Sequence, residues 1–342
     1  MSDITLSIII PCYNVESYIK ECLDSVFIQL DANSEVIIVN DGSTDSTKNI
    51  IESLCVGKKN IKIINQINVG LSGARNAGLI KAQGKYIAFL DGDDVLHPEY
   101  IRNVSNAIFE FCPDIIEIDA YRFTKESTET FNLCTYSGQK VIDNKIELMP
   151  VFELNQWYVW GRIYSKKIIN CVYFEDGRRY EDIMFTPYLY LKAKIIYSIN
   201  KPLIGYRHTP NSITKSIKER DYLDIIYALQ KFKNHANKEV GNEEKILLLY
   251  SRVRTFSYLK FISNNVNGYF RTLEETKRIA NDILNDNNSL DVKYQIKWSK
   301  LITVKYYRLS STFSWFKKKN SRPLSINSLH FLIKLLNPEF DK

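Results

Sequence analysis

Paired cysteines are missing from this chain. Its 342 residues include six cysteines, Cys12, Cys22, Cys55, Cys112, Cys134 and Cys171, and none forms a CxxC pair. That scatter excludes a zinc-ribbon site and a disulfide scaffold, so reduced thiols in a cytosolic setting are expected. No apolar run approaches the roughly 18 residues of a membrane span. No basic leader precedes an apolar core, so no secretory segment is expected. There is no GxxxxGK[ST], which excludes a P-loop, and no GxGxxG after the first strand, so the dinucleotide fingerprint is missing. Internal repeats and low-complexity stretches are also absent. Hydrophobic residues make up 45% and charged residues 25%, with a net charge of +7. These values suit a globular protein with one large or two modest domains.

What is present begins as an alternation of strand and helix. Leu6–Pro11, Glu35–Asn40, Ile61–Asn65 and Tyr86–Leu90 read as buried strands, and Asp114–Asp119 as a fifth. Between them, Ile19, Leu23, Val26, Phe27 and Leu30 recur at helical spacing. Ser43 or Thr44 is the expected cap of a second helix, Ser72 of a third that Gly84 ends, and Pro98 starts a fourth. Strands that are continuous Ile/Val runs are buried on both faces, which predicts a largely parallel sheet covered by helices on each side. Ligands of such sheets bind beyond the carboxyl ends of the strands. The residues there are Tyr13, Asn14 and Glu16, then Asp41 and Asp45, then Asn68, Arg75 and Asn76, then Asp91, Asp93 and Asp94. Alone, Asp91-Gly-Asp-Asp94 is an ordinary turn in which Gly92 relieves the backbone. At the end of a fourth parallel strand it becomes a divalent-cation site, since hard carboxylate oxygens suit Mg²⁺ or Mn²⁺. Asp41 can accept a hydrogen bond from a base or ribose, Tyr13 offers a ring face, and Arg75 can pair with phosphate. The pattern predicts a nucleoside-diphosphate ligand.

Four segments together, Pro11-Cys-Tyr-Asn14, Val39-Asn-Asp-Gly-Ser-Thr-Asp45, Gly70-Leu-Ser-Gly-Ala-Arg-Asn-Ala-Gly78 and Phe89-Leu-Asp-Gly-Asp-Asp94, resemble the nucleotide-sugar domain of family 2 glycosyltransferases. Arg179-Tyr-Glu-Asp182 resembles the family's later Glu-Asp motif, and Tyr206-Arg-His-Thr-Pro-Asn-Ser-Ile213 the segment after it. The resemblance covers roughly residues 4 to 215. It implies a GT-A fold, which is Rossmann-like, with a mostly parallel sheet and helices on both faces, here followed by a helical C-terminal region. The expected division is 1–215 for the GT-A domain, with 1–120 binding the nucleotide sugar and 121–215 supplying the acceptor side and base. Residues 216–342 form the helical remainder.

The roles implied are specific. Pro11, Tyr13 and Glu16 shape the base pocket, and Asp41 binds the base, usually uracil. Arg75 contacts base or diphosphate, and Asp91 faces ribose or sugar. Asp93 coordinates Mn²⁺ or Mg²⁺, with Asp94 beside it. Asp182 is the catalytic base, ionised at neutral pH if its pKa stays near about 3.9. His208 lies where some members supply a second metal ligand and others have a different residue. Trp157 and Trp160 either stack on sugar rings or belong to the core. The implied reaction is inverting transfer of a hexose or N-acetylhexosamine from a UDP-sugar to a glycan hydroxyl, giving a β-linkage. The acceptor is expected to be lipid-linked and used in surface-polysaccharide synthesis.

Between Asp291 and Lys334 the only acid is Asp291. Ten lysines and arginines there, from Lys293 to Lys334, are interleaved with Trp298, Tyr306, Tyr307, Phe313, Trp315 and Phe316. That mixture suits an anionic membrane surface and predicts a peripheral position at the inner face of the plasma membrane. The alternative is a helical region with a solvated basic face. Two other functions fit part of the pattern. A nucleotidyltransferase also pairs acids with a nucleotide, but the distant Glu-Asp motif favours sugar transfer. A nucleic-acid-binding protein would use the basic tail, but an acidic rim argues against nucleic acid at the sheet.

Overall fold

A computed structural model describes residues 4–124, 127–170, 172–209, 218–238, 240–263, 269–290 and 295–296. The N-terminal part runs β1 (Leu6–Cys12), α1 (Ile19–Phe27), β2 (Ser34–Asp41), α2 (Thr47–Cys55), β3 (Ile61–Gln66), α3 (Gly70–Lys81) and β4 (Tyr86–Phe89). Then come β5 (Val95–Leu96), α4 (Tyr100–Phe111), β6 (Ile115–Phe123), β7 (Thr128–Phe131), β8 (Gly138–Val141) and α5 (Met149–Leu154). After these follow β9 (Arg162–Ser165), α6 (Lys166–Ile169), α7 (Thr186–Lys192) and β10 (Ile195–Arg207). Three helices complete the described chain, α8 (Glu219–Ala236), α9 (Asn242–Ser263) and α10 (Tyr269–Ser289).

One ten-stranded sheet runs β3-β2-β1-β4-β9-β6-β10-β5, with β7 on β6 and β8 on β10. The first four strands are parallel, as their Ile/Val runs predict. Beyond β4 the sheet is mixed. β9 enters between β4 and β6, antiparallel to both, so β4 and β6 are not neighbours. Four residues are too short for a strand period to register in the sequence. β10 runs parallel to β6 and takes β5 and β8 antiparallel.

Alternation along the strands sends residues to two cores. Ile8, Ile10, Val36 and Ile38 face α1 and α4 through Ile19, Leu23, Val26, Tyr100 and Val104. Ile9, Ile37, Val39, Ile87 and Phe89 face Ala74 and Leu79 of α3 and Leu189 of α7. The C-terminal helices extend this second core, because Phe232, Leu247 and Leu248 belong to it. Their own contacts centre on Tyr222, Ile225, Leu229, Val253, Phe256 and Ile283. Leu223, read from sequence as part of the apolar stripe of α8, is 54% exposed. The buried face instead includes Asp221 and Asp224.

Three local expectations change. Ser72 does not cap α3 but lies buried inside it, and the amides at the start of the helix go to Asp41 of β2. The N-cap of α2 is Ser46, and Asp45 Oδ1 accepts from the Thr47 amide at 3.0 Å. Gly92 is not a positive-φ glycine but a closely packed one, since a Cβ there would lie 3.2 Å from Cys12 Sγ and from the Pro11 carbonyl oxygen. The five described cysteines are free thiols. The basic aromatic residues from Lys293 to Lys334, and the boundary at 215/216, lie outside the described residues. No described helix is long and apolar enough to cross a membrane.

Gly84 lies beyond the end of α3, and its amide donates to Ser7 Oγ at 2.8 Å. A Cβ there would sit 2.6 Å from the Ser7 nitrogen and 2.9 Å from the Leu6 carbonyl carbon. Gly84→Ala is therefore expected to destabilise the protein by about 1–3 kcal/mol through overpacking. Chemical denaturation measures this, and an unchanged midpoint would contradict the packing argument.

Candidate active site

The residues singled out at the strand ends meet on one rim. The loops after β1 and β2 are stitched together. Asn14, with φ of 53°, donates its amide to Ser43 Oγ at 3.1 Å, and its Oδ1 accepts from the Thr44 amide at 2.8 Å. The Glu16 amide donates to Asp45 Oδ2 at 3.1 Å, while Glu16 Oε2 accepts from the Ser46 amide at 2.8 Å. Pro11 is buried at the end of β1, and Tyr13 stands 50% exposed above this floor. Asp41 is buried. Its Oδ1 accepts from Gln66 Nε2 at 2.8 Å and the Val69 amide at 3.0 Å, and its Oδ2 from the Gly70 amide at 2.9 Å.

Arg75 does not stand open on the rim. Its guanidinium is 2% exposed, with Nη2 donating to Asp91 Oδ1 at 2.8 Å and Nη1 to Glu181 Oε1. The group lies 5.5 Å over the Phe174 ring. Burial works against its charge, but Asp91 and Glu181 outweigh this and raise its pKa. Asn76, next on α3, pins the same downstream segment. It donates to the Phe174 carbonyl and to Asp176 at 2.9 Å each, and accepts from the Phe174 amide at 2.9 Å. The third and fourth strand ends are thus tied to residues about a hundred positions later.

The acids of the 91–94 loop divide by environment. Asp91 is half-buried and paired with Arg75. Burial and the charge of Asp91 push the Asp93 carboxyl up to about 6, partly offset by Arg207. Asp94 is fully buried, and its Oδ1 accepts from the Arg207 amide at 2.8 Å. Burial, then Asp93 and Asp91, raise its pKa well above the usual range. Arg207 holds this loop in place, a role that its sequence position does not announce. Its Nε donates to the Asp93 carbonyl at 2.8 Å and its Nη2 to Glu21 at 2.7 Å. Its position next to Tyr206 was visible, but the fold-back of β10 onto this loop was not. His208 follows it, exposed, with its amide donating to the Phe123 carbonyl at 3.0 Å.

Asp182 is half-buried, and its Oδ1 accepts from the Ile183 amide at 2.8 Å. It does not keep the ordinary carboxylate pKa expected from sequence. Burial, then the charge of Glu181, push it up to about 7 against the pull of Arg75. Trp157 is core, 2% exposed. Trp160 is also buried, stacked on Tyr206 at 5.3 Å and on Tyr158 at 5.2 Å. Tyr158 is the exposed member of this stack, at 38%.

Among the described residues, no three His, Cys, Asp or Glu side chains are grouped to hold a metal ion. Asp93 still fits a divalent cation, because burial and Asp91 leave its negative charge short of counter-charge. Mg²⁺ characteristically takes one or two carboxylates and completes its shell with phosphate oxygens and water.

Residues 7–158 match the family model for glycosyl transferase family 2. The glycosyltransferase GlyA of Streptococcus pneumoniae is 30% identical over 226 residues, 64% of this chain and 32% of that protein. The uncharacterized glycosyltransferase EpsJ of Bacillus subtilis is 32% identical over 224 residues, 61% of this chain and 63% of that one. The chain therefore spans about a third and somewhat under two thirds of these relatives. S. aureus TarS 1–349, solved in complex with UDP-GlcNAc, superposes with a TM-score of 0.69 at 20% identity, covering 93% of each chain. That likeness gives the fold, a GT-A sheet followed by helices. With its four motifs gathered on one rim of that fold, residues 7–158 of this chain form a glycosyl transferase family 2 domain.

Proposed function

We propose that this chain is an inverting, metal-dependent glycosyltransferase. It moves a hexose or N-acetylhexosamine from a UDP-sugar to a hydroxyl of a glycan acceptor, lipid-linked, in bacterial surface-polysaccharide synthesis. One observation carries the reading. Arg75 joins the acid loop to Glu181, so Asp182, with its carboxyl pushed up to about 7, belongs to the same constellation as the acids at the end of β4. TarS, which shares the fold, was solved with UDP-GlcNAc, and that supports a UDP-sugar donor.

In this reading the uracil lies against Tyr13, between Pro11 and Glu16. Its N–H is received by Asp41 Oδ2, which accepts a single protein amide among the described bonds. Asp91 faces the ribose or sugar. Arg75, expected from sequence to touch base or diphosphate, acts by holding Asp91 and Glu181. Asp93 holds Mn²⁺ or Mg²⁺, and His208 is the second candidate ligand. A bound cation supplies Lewis-acid stabilisation of the departing diphosphate. Asp182 takes the proton of the acceptor hydroxyl as its oxygen bonds to the anomeric carbon, on the face opposite the leaving group. This single displacement converts an α-linked donor into a β-linked product. A base with a pKa near the working pH is the effective one, which is what burial does to Asp182.

The donor claim is tested by UDP release from UDP-Glc, UDP-Gal, UDP-GlcNAc and UDP-GalNAc. Activity should vanish in EDTA and return with Mn²⁺ or Mg²⁺, and Asp93→Asn should lower turnover by at least about a hundredfold. Full activity in EDTA removes the metal, and release of pyrophosphate instead of UDP points to a nucleotidyltransferase.

The base must be ionised to act. The rate is therefore expected to rise about tenfold per pH unit below about 7, and to flatten above it. Asp182→Asn should lose about 10²- to 10⁴-fold in kcat. A flat profile between pH 5 and 8, or a fully active variant, removes Asp182 from that role.

The basic aromatic run from Lys293 to Lys334 supports peripheral membrane binding, each basic residue adding roughly 1 kcal/mol near an anionic surface. The full chain should sediment with phosphatidylserine-rich vesicles at low salt and be released by high salt. No difference from neutral vesicles would exclude it.

A further inference from the structure

Helix α8 carries a polar stripe that grips the segment containing the Glu-Asp motif. Asp221, Asp224, Tyr227 and Lys231 succeed one another at helical spacing, so they share one face. All four meet the stretch from Glu175 to Met184. Arg179 Nη1 donates to Asp221 Oδ2 at 2.8 Å. Arg178 Nη1 donates to Asp224 Oδ1 at 2.8 Å, and the Arg179 amide to Asp224 Oδ2 at 3.0 Å. The Arg178 guanidinium lies 3.7 Å over the Tyr227 ring, whose hydroxyl donates to Glu175 at 3.2 Å. Lys231 Nζ donates to Glu175 Oε1 at 2.6 Å and to the Met184 carbonyl at 3.0 Å.

Two further facts show that this grip has work to do. Asp221 is fully buried and Asp224 is 2% exposed, and such carboxylates are tolerated inside a fold only when paired. Within the gripped stretch, Tyr180 has φ of +61°, a left-handed backbone that is unfavourable for a residue with a Cβ. Such strain persists only where the surroundings over-determine it. Its ring is held edge-on to Tyr258 of α9 at 5.5 Å. Glu181 and Asp182 follow directly. From the other side, Arg75 takes Glu181. The segment is therefore clamped between α3 and α8.

We infer that the polar face of α8, with Asp224 at its centre, is the positioning element for Asp182. It sets the backbone turn that aims the base at the acceptor hydroxyl. Asp224 touches neither substrate nor base and acts through Arg178 and the Arg179 amide. The inference rests on the proposed role of Asp182. It also gives the tandem arginines Arg178 and Arg179 an intramolecular task.

The test uses the full chain with Asp224→Ala and, from the partly exposed loop side of the same pair, Arg178→Gln. Folding of each is checked by thermal melting. Amides from 176 to 184 should exchange with deuterium at least about tenfold faster than in the unaltered protein, while those of β1, β2 and β4 stay protected. In UDP release with acceptor present, kcat should fall about 10- to 100-fold with donor KM within about threefold, as expected for a misplaced base. Asp224→Glu should recover part of kcat. Unchanged exchange in a folded variant overturns the inference, and so does faster exchange with unchanged kcat. Absence of transfer by the unaltered protein sinks the proposed function instead, and the exchange measurement then decides the clamp by itself.

Discussion

Everything at this site depends on one buried cation. Arg75 has almost no contact with water, so its charge must be met by the protein, and Asp91 and Glu181 meet it from opposite sides. A buried ion pair is not in itself a large source of stability, but removing one partner strands the other and costs about 3–5 kcal/mol. The three groups therefore stay together or the local fold is lost. Asp91 lies two residues beyond β4, on the side where the donor is expected. Glu181 adjoins the residue proposed as base. The guanidinium thereby fixes the separation between the acid loop after β4 and the Glu181–Asp182 segment.

Around that bracket the acids are sorted by what surrounds them. Asp94 is turned inward and bonded to the Arg207 backbone, so it fastens the acid loop to β10. Asp93 is left less compensated, which suits a metal ligand. Asp182 has its negative charge disfavoured by burial and by Glu181, which strengthens it as a base. Three carboxylates of the same intrinsic acidity thus acquire three characters from desolvation and neighbouring charge.

Much of this was legible in the sequence. Continuous Ile/Val runs gave β1 to β4, and polar residues after each run gave the rim. The partners of those residues were not legible, because they arrive from distant parts of the chain. Asp41 reads as a base ligand, yet it also satisfies the first amides of α3, a task that sequence assigns to Ser72. Arg75 reads as a phosphate ligand, and nothing local reveals that Glu181 waits for it. β9 was hidden by its length, and Arg207 by the fold-back of β10. In α8 the apolar period was read through Leu223, while the buried face holds Asp221 and Asp224, polar residues that no hydrophobic pattern can find. Local chemistry was readable, and long-range charge compensation was not.

The strand insertion has a consequence for modularity. The region that matches the family model ends at residue 158, whereas β9, β10 and Glu181 all come later. Cutting the chain there would open a gap in the sheet beside β4 and leave Arg75 with half its counter-charge. The unit that recombination or protein engineering can move intact is therefore larger than the block that holds the four motifs. It must carry the sheet through β10 and the clamp of α8. A graft that exchanged only the motif-bearing half would have to preserve both ends of that charge bracket across the seam.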